Sequence, residues 1–417
     1  MDKAFVIVPH QDDEINLAGN ILDVIKTAYE IVVIYTSLDA RLPNALIRKR
    51  EAIEACGLYG IQRENIVFLG YPDTPNAAGD HFYRTEKRGV IQDLKNLILQ
   101  QKPAVIFATD LDFHSDHRMC SLAFETAMGE ILRETDNYFP LVFKGFCYET
   151  AYYGPEDYCA SRQGKTKSSV LIASNPVWEW ENRISITGGE KPGLLIKRKA
   201  YKALTKHRSQ YAVLHARSIV NADNVFWLKR TDNLIYKAKV TASSGDARKL
   251  CDFKVLDTND IITIDSRKID YSEGVWRPDT SAEISIAWEH PVEFDRIIFH
   301  GDPNASAAQK TDIHIFVKDQ EICTLSELRE YGRETVIKCP RTLTDRLMIS
   351  VNNGESAICL SEIEILNGDQ SIPDVFTRNF SGSESQNRFL DSLDFYTFQL
   401  AVLCTKIERK IRLCFGK

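Results

Sequence analysis

Two short segments hold most of the residues able to do chemistry. Pro9-His10-Gln11-Asp12-Asp13-Glu14 places a histidine and three carboxylates directly after an apolar run, and Asp110-Leu111-Asp112-Phe113-His114-Ser115-Asp116-His117 repeats that composition further along. Histidine nitrogens and carboxylate oxygens bind divalent ions, and two histidines with one carboxylate leave such an ion an open position, as in catalytic zinc sites. His114 and His117 are three apart and leave the same turn of a helix, where a nearby carboxylate can fix the tautomer of one of them. Such a set supports metal-assisted hydrolysis, in which the ion activates water and a remaining acid takes its proton. The ten cysteines include no C-x-x-C pair, which argues against a cysteine zinc site; scattered through apolar stretches, they read as reduced, mostly buried thiols.

For the two segments to meet, they must leave the same edge of one sheet. Apolar runs at Ala4 to Val8, Ile31 to Tyr35, Ile66 to Leu69 and Ala104 to Ala108 alternate with helical patterns. The helices are expected to about Tyr29, around Asn44 to Tyr59, Glu86 to Gln101 and His117 to Glu134. This alternation predicts an α/β fold with a doubly wound, mostly parallel, Rossmann-like sheet. Ligands bind such sheets at the carboxyl ends of strands, and strands one and four can flank the switch point where the two loops would share a crevice. No G-x-G-x-x-G follows the first strand, which disfavours a dinucleotide. A further helix is expected from about Leu194 to Tyr211, and the unit closes near Asp232. Trp178 and Trp180, two apart, read as strand positions in a core or on a sheet face rather than as a sugar-stacking pair.

The paired motifs H-x-D-D-E and H-x-D-H in these strand contexts resemble the PIG-L/LmbE-like de-N-acetylases, zinc hydrolases that remove an acetyl group from N-acetylglucosamine-type substrates. Arg48-Lys49-Arg50-Glu51-Ala52, Leu69-Gly70-Tyr71-Pro72-Asp73 and the helix Ala203 to Gln210 resemble further motifs of the family. The resemblance covers about residues 1–232. It implies one zinc ion held by His10, Asp13 and His117, with Asp12 as general base on the metal's water. It also implies that His114, held by Asp116, stabilises the oxyanion and helps the amine leave. Arg48 would contact the sugar, with Asp73 at the crevice rim, and His207 could reach the crevice or be satisfied by its neighbours. Glu14 would cap or orient the following helix. Gln11 and Ser115 stand where the family usually has proline, so the preset backbone angle is absent at both loops.

From Leu234 to Leu366 the pattern changes to period-two strands without intervening helices, which predicts an antiparallel jelly-roll sandwich over residues 233–369. Val240 to Ser244, Trp276-Arg277-Pro278, Val292 to Ile298 and Leu360 to Ile365 together resemble a discoidin (factor 5/8 C-terminal-like) domain, whose relatives bind glycans or membrane surfaces. Here it could equally serve only to pack against the enzyme. Residues 370–417 read as a linker, roughly Asn367 to Gln386, and an amphipathic helix. Phe389, Leu393, Tyr396, Leu400, Leu403, Ile407 and Ile411 form one apolar stripe. Lys406, Arg409, Lys410, Arg412 and Lys417 against Glu408 leave its end at a net +4. The favoured expectation is a helix packed on its own domains or on a partner subunit, with a membrane-surface anchor as the alternative over residues 389–414.

The formal net charge of −6 disfavours nucleic acid as a partner. No run reaches the roughly 20 apolar residues of a spanning helix, and no signal-peptide pattern opens the sequence, so a cytoplasmic location is expected, at the membrane's inner face if the helix binds lipid. The expected activity is zinc-dependent N-deacetylation of an amino sugar or glycoconjugate, which a membrane contact would allow to be lipid-linked. The alternatives are a glycan-binding protein on an inactive hydrolase scaffold and a zinc amidase acting on a non-sugar substrate.

Overall fold

A computed structural model of the chain describes residues 1–39, 42–73, 82–112, 114–147, 175–188, 195–214, 219, 223–260, 268–279, 281–352, 358–377 and 388–415. The first sheet consists of β1 (Lys3–Val8), β2 (Glu30–Leu38), β3 (Ile66–Pro72), β4 (Val105–Thr109), β5 (Leu141–Gly145), β6 (Ile184–Thr187) and β7 (Asp223–Lys229). Its order is β3-β2-β1-β4-β5-β7-β6. The first five strands run parallel, while β7 pairs antiparallel with both β5 and β6. Helices α1 (Asp13–Ala18), α2 (Leu22–Ile25), α3 (Leu42–Gly57), α4 (Phe82–Gln101), α5 (Ser115–Glu134) and α6 (Lys199–Leu204) accompany it.

β1 shows why both faces of the sheet are covered. Phe5 and Ile7 enter one buried cluster with Val90 and Leu94 of α4 and Ala123 and Ala127 of α5. Their neighbours Val6 and Val8 enter another with Ile15, Leu22 and Ala52. Alternate strand residues point to opposite faces, so a wholly apolar run demands a layer on each side.

Three local expectations are corrected. The pattern to Tyr29 is two short helices, because Asn224 of β7 takes the freed backbone groups between them: its Oδ1 accepts from Asn20 N at 3.1 Å and its Nδ2 donates to Asn16 O at 3.2 Å. The segment read as one helix from Leu194 to Tyr211 contains α6 between two 3-10 turns, and Tyr211 ends it in the left-handed region at φ 52°. Trp178 lies in no strand; its ring stacks on Trp227 with centroids 6.1 Å apart, and a 3-10 turn begins at Trp180.

The second unit contains β8 (Lys239–Ala242), β9 (Ala282–His300), β10 (Gln309–Val317), β11 (Gln320–Leu328), β12 (Glu334–Val351) and β13 (Glu362–Leu366), all antiparallel. The long β9 pairs with β12 along one edge and shares its other edge between β8 and β13. Ile284, Ile286, Phe294, Ile297 and Phe299 of β9 fill a β-sandwich core continuous with the cluster under α4 and α5. The sandwich therefore sits on α5. Arg133 donates to Cys251 O at 3.1 Å, and Arg329 makes a two-point ion pair with Glu179 at 2.8 and 2.7 Å.

The tail is fastened to the first unit. Within the stretch expected to be a linker, α7 (Asp374–Thr377) buries Phe376 against Phe107 and Phe143, with Tyr29 stacked on it. In α8 (Arg388–Phe415), Asp394 pairs with Arg198 at 2.7 Å and accepts from Leu195 N at 2.9 Å, and Phe398 is fully buried. The apolar stripe is not what packs. Leu393, Tyr396, Leu400, Leu403, Ile407 and Ile411 are 43 to 68% exposed, so the helix packs on the first unit as expected but through its other face. The side chain of Phe389 lies outside the described residues. Cys404 and Cys414 on this helix are likewise exposed rather than buried, Cys323 and Cys339 are half-buried, and Cys159 lies outside the described residues. Among the described residues no helix is long and apolar enough to cross a membrane.

Candidate active site

β1 and β4 are neighbours in the sheet, and the connections leave them in opposite directions, so their carboxyl ends open on the switch point. The loop after β1 carries His10 to Asp13, and the loop after β4 carries Asp110 to His114 into α5. Three imidazoles converge there, with His114 4.8 Å from both His10 and His117 between ring centroids and the latter two 5.3 Å apart.

Each outer histidine is held by a carboxylate on one nitrogen and presents the other to Asp13. His10 Nε2 lies 2.8 Å from Asp116 Oδ2, and its Nδ1 lies 3.0 Å from Asp13 Oδ2. His117 Nδ1 lies 2.6 Å from Asp112 Oδ2, and its Nε2 lies 3.2 Å from the same Asp13 oxygen. A carboxylate that accepts from one ring nitrogen leaves the other with its lone pair free for a metal. Each of these nitrogens lies about 3 Å from the same Asp13 oxygen, a separation that two ligands of one tetrahedral ion with bonds of about 2 Å can span.

Other donor sets are present, and their chemistry separates them. His10, His114 and His117 have donor atoms within 4.8 Å of one another, as do Asp13, His117 and Cys147. Burial pushes the Cys147 thiol well above its ordinary range, and a protonated thiol is a poor ligand. His114 is the N-cap of α5, and its Nδ1 accepts from Asp116 N at 3.2 Å. That bond places the proton of the neutral ring on Nε2. Burial, then the charges on His10 and His117, push His114 down to about 3, so its neutral form holds at neutral pH.

The metal-free cluster carries opposite charges in close contact. Burial disfavours the imidazolium of His10, but hydrogen bonds to Asp116 and Asp13 outweigh it and raise the group to about 9. His117 is raised in the same way, against burial, by Asp112 and Asp13. Asp13 goes well below the carboxylate range because His117 and His10 overcome its desolvation.

Asp12 differs from the acids around it. It is buried, yet its carboxylate makes no hydrogen bond or ion pair among the described residues, whereas Asp13, Asp110, Asp112 and Asp116 are all engaged. Burial foremost, and then Asp13, push it up to about 7, while His207, Arg48 and His10 pull it down. Its backbone at φ 154°, ψ −21° lies where L residues rarely sit.

The remaining expected residues form the surroundings. Arg48 is buried and donates to Asp73 Oδ2 at 2.8 Å, leaving its Nε without a hydrogen-bond partner among the described residues. His207 lies 2.8 Å from Glu14 Oε1, so Glu14 ties α1 to the late helix segment instead of capping α1. Ser209 is gripped through N and Oγ by Glu51, at 2.9 and 2.6 Å, which joins two of the family-like motifs. Gln11 reaches Ser37 O at 2.7 Å, tying the proline-less loop to β2.

The expected partnership of Asp116 with His114 is corrected. The closest Asp116 oxygen is 3.8 Å from His114 Nδ1, and it is His10 that Asp116 holds. Asp112, not singled out from the sequence, holds His117 and also accepts from His114 N at 2.8 Å. Its place five residues before His117, at the end of a core strand, was the available signal.

Residues 5–128 match the family model described as PIG-L: GlcNAc-PI de-N-acetylase. Within the N-terminal unit, these residues are similar to the PIG-L family. The match is therefore to a hydrolase family of the de-N-acetylase type. No curated protein matches the chain at a significant level. Solved structures similar to the C-terminal region include the family 32 carbohydrate-binding module of Streptococcus pneumoniae EndoD, at 11% identity, 33% of this chain, 99% of that chain and a TM-score of 0.25. The S. pneumoniae fucose-binding module SpX-3 has 17% identity, covering 33% of this chain and 98% of its own, with a TM-score of 0.25. CpGH89CBM32-5 from Clostridium perfringens, in complex with GalNAc-β-1,3-galactose, has 13% identity, 31% and 95% coverage and a TM-score of 0.24.

Proposed function

We propose that the protein is a metal-dependent N-deacetylase acting on an N-acetylglucosamine-type sugar or glycoconjugate, with the β-sandwich as an accessory unit that contacts glycan. The observation that carries the metal is the pair of carboxylate-held imidazoles presenting their other nitrogens to one oxygen of Asp13. His10, Asp13 and His117 would hold the ion, and the donor chemistry, two imidazoles and a carboxylate, fits zinc. When bound, such an ion supplies Lewis acidity toward the amide carbonyl and lowers the pKa of water.

The chain's own residues supply the proton handling. Asp12, the buried carboxylate without a hydrogen-bond partner, accepts the proton of the attacking water. His114, neutral with its proton on Nε2, donates a hydrogen bond to the oxygen that gains charge, and the proton that Asp12 took from water passes to the departing amine. Asp116 and Asp112 position His10 and His117. Arg48, fixed by Asp73, would contact the sugar or its substituent.

The test is direct. The purified protein, stripped of metal and then supplied with zinc, is incubated with a panel of N-acetyl sugars and glycoconjugates while acetate and free amine are measured by mass spectrometry. Stoichiometric acetate and amine, dependent on zinc and lost in His117→Ala, support the proposal. Zinc binding without release from any N-acetyl substrate overturns the activity and retains the metal site.

A further inference from the structure

The outer face of α8 is the largest feature that the active site leaves unexplained. Leu393, Tyr396, Leu400, Leu403 and Ile407 recur at alternating spacings of three and four and lie exposed along the helix, while the opposite face is fastened through Asp394, Arg198 and the buried Phe398. An amphipathic helix normally buries its apolar stripe; this one is anchored by its other side and holds the stripe outward.

The charges beside the stripe say what covers it. Lys406, Arg409, Lys410 and Arg412 are all exposed, and Glu408, the single acid among residues 406–415, is taken up by Arg412 at 2.5 Å. Arg409 and Arg412 lie over the ring of Tyr211 on the body, at 5.7 and 6.0 Å from its centroid, so the basic end is held in place. This cluster stands on a chain of net charge −6. In paired helices, opposite charges flanking the seam commonly set the choice of partner. The flanking positions are instead Gln399, Lys406 and Leu413 on one side and Thr397, Cys404 and Ile411 on the other, with no carboxylate.

We propose that the outer face of α8 docks on an anionic lipid surface, the apolar stripe entering the acyl boundary while the lysines meet the headgroups. The helix then lies in the plane of the interface, with the α/β unit held against it. A groove of about 570 Å³ between α8 and α6, lined by Tyr201, Leu204, His207, Leu400 and Cys404, runs from the stripe to His207, the partner of Glu14. The proposal does not depend on which reaction the site catalyses.

Sedimentation of the full chain with phosphatidylcholine vesicles, with and without phosphatidylserine, tests it. Binding should be at least about tenfold stronger with phosphatidylserine and should fall in high salt. Leu400→Asp with Ile407→Asp, both on the exposed face, should lower binding about tenfold or more with the melting temperature retained. Lys406→Glu with Lys410→Glu should remove the preference for phosphatidylserine, an independent check if the apolar pair misfolds. Absence of binding to anionic vesicles, or binding unchanged in both double variants, overturns the proposal. So does a dimer seen by light scattering that Leu400→Asp with Ile407→Asp dissociates while the wild type ignores vesicles, since the face then belongs to a second copy.

Discussion

Asp112 Oδ2 stands 2.6 Å from Nδ1 of His117, and both residues are buried. The contact fixes the ring so that Nε2 faces Asp13, and the other Asp112 oxygen holds His114 N at the start of α5. Removing this carboxylate should leave the proposed ligands in the chain but release one of them to rotate. Asp112→Ala is expected to weaken zinc affinity about 10- to 100-fold. Asp112→Asn, which retains an acceptor, should fall between the two. Competition with a chromophoric chelator measures this, and unchanged affinity in Asp112→Ala would mean that other contacts orient His117.

Asp12→Asn separates proton transfer from metal binding. The amide is nearly isosteric and the carboxylate it replaces has no hydrogen-bond partner among the described residues, so fold and zinc content should persist. Turnover should drop by about 100-fold or more, the usual contribution of a general base. A metal-replete Asp12→Asn protein with near-normal kcat would pass that role to another group.

The candidate site is legible in the sequence because its residues are contiguous. His10 to Asp13 and Asp110 to His117 each follow an apolar strand run, and the strand pattern implies that the two loops can meet. Pairings made only in space were hidden. Asp116 reads as a neighbour of His114 along the chain, yet its carboxylate points across the crevice to His10. Glu14 meets His207, and Arg198 meets Asp394, from the far side of the fold. The tail shows the same limit from another direction. Its periodicity revealed an apolar stripe on α8, but periodicity does not say which face docks, and a single buried ion pair with Phe398 decided it. The break between α1 and α2 has a polar cause, since Asn224 offers hydrogen bonds that no hydrophobic pattern records.

At Gly129 of α5 the backbone of the second unit packs directly on the first. A Cβ at this position would meet the carbonyl oxygen of Asp252 well inside van der Waals contact, and backbone cannot rotate away as a side chain can. Gly129→Ala should therefore force the two units apart in spite of alanine's better helix propensity. A loss of about 1–3 kcal/mol is expected, the usual range for overpacking. Chemical denaturation measures it, and a variant as stable as the wild type would show that the docking has slack.

Glu362 gives the protein a pH-dependent stability. It is fully buried on β13, with Oε1 accepting from Tyr236 Oη at 3.0 Å and Oε2 without a hydrogen-bond partner among the described residues. Burial first, then the charge on Asp252, raise it well above the carboxylate range, and Lys229 only partly offsets this. Asp252 is itself pushed up to about 6, mainly by its own burial, so the two acids resist sharing negative charge. The sign follows from proton counting. Between the unfolded carboxylate's ordinary pKa and the raised folded value, the folded state holds the extra proton, so stability falls as pH rises through that window. Glu362→Gln keeps an acceptor for Tyr236 and removes the ionisation. Its melting temperature should match the wild type near pH 4, exceed it at pH 8, and vary less between them. If the variant instead loses stability equally at both pH values, the charge at Glu362 is compensated in the folded state, and the decline with pH has another source.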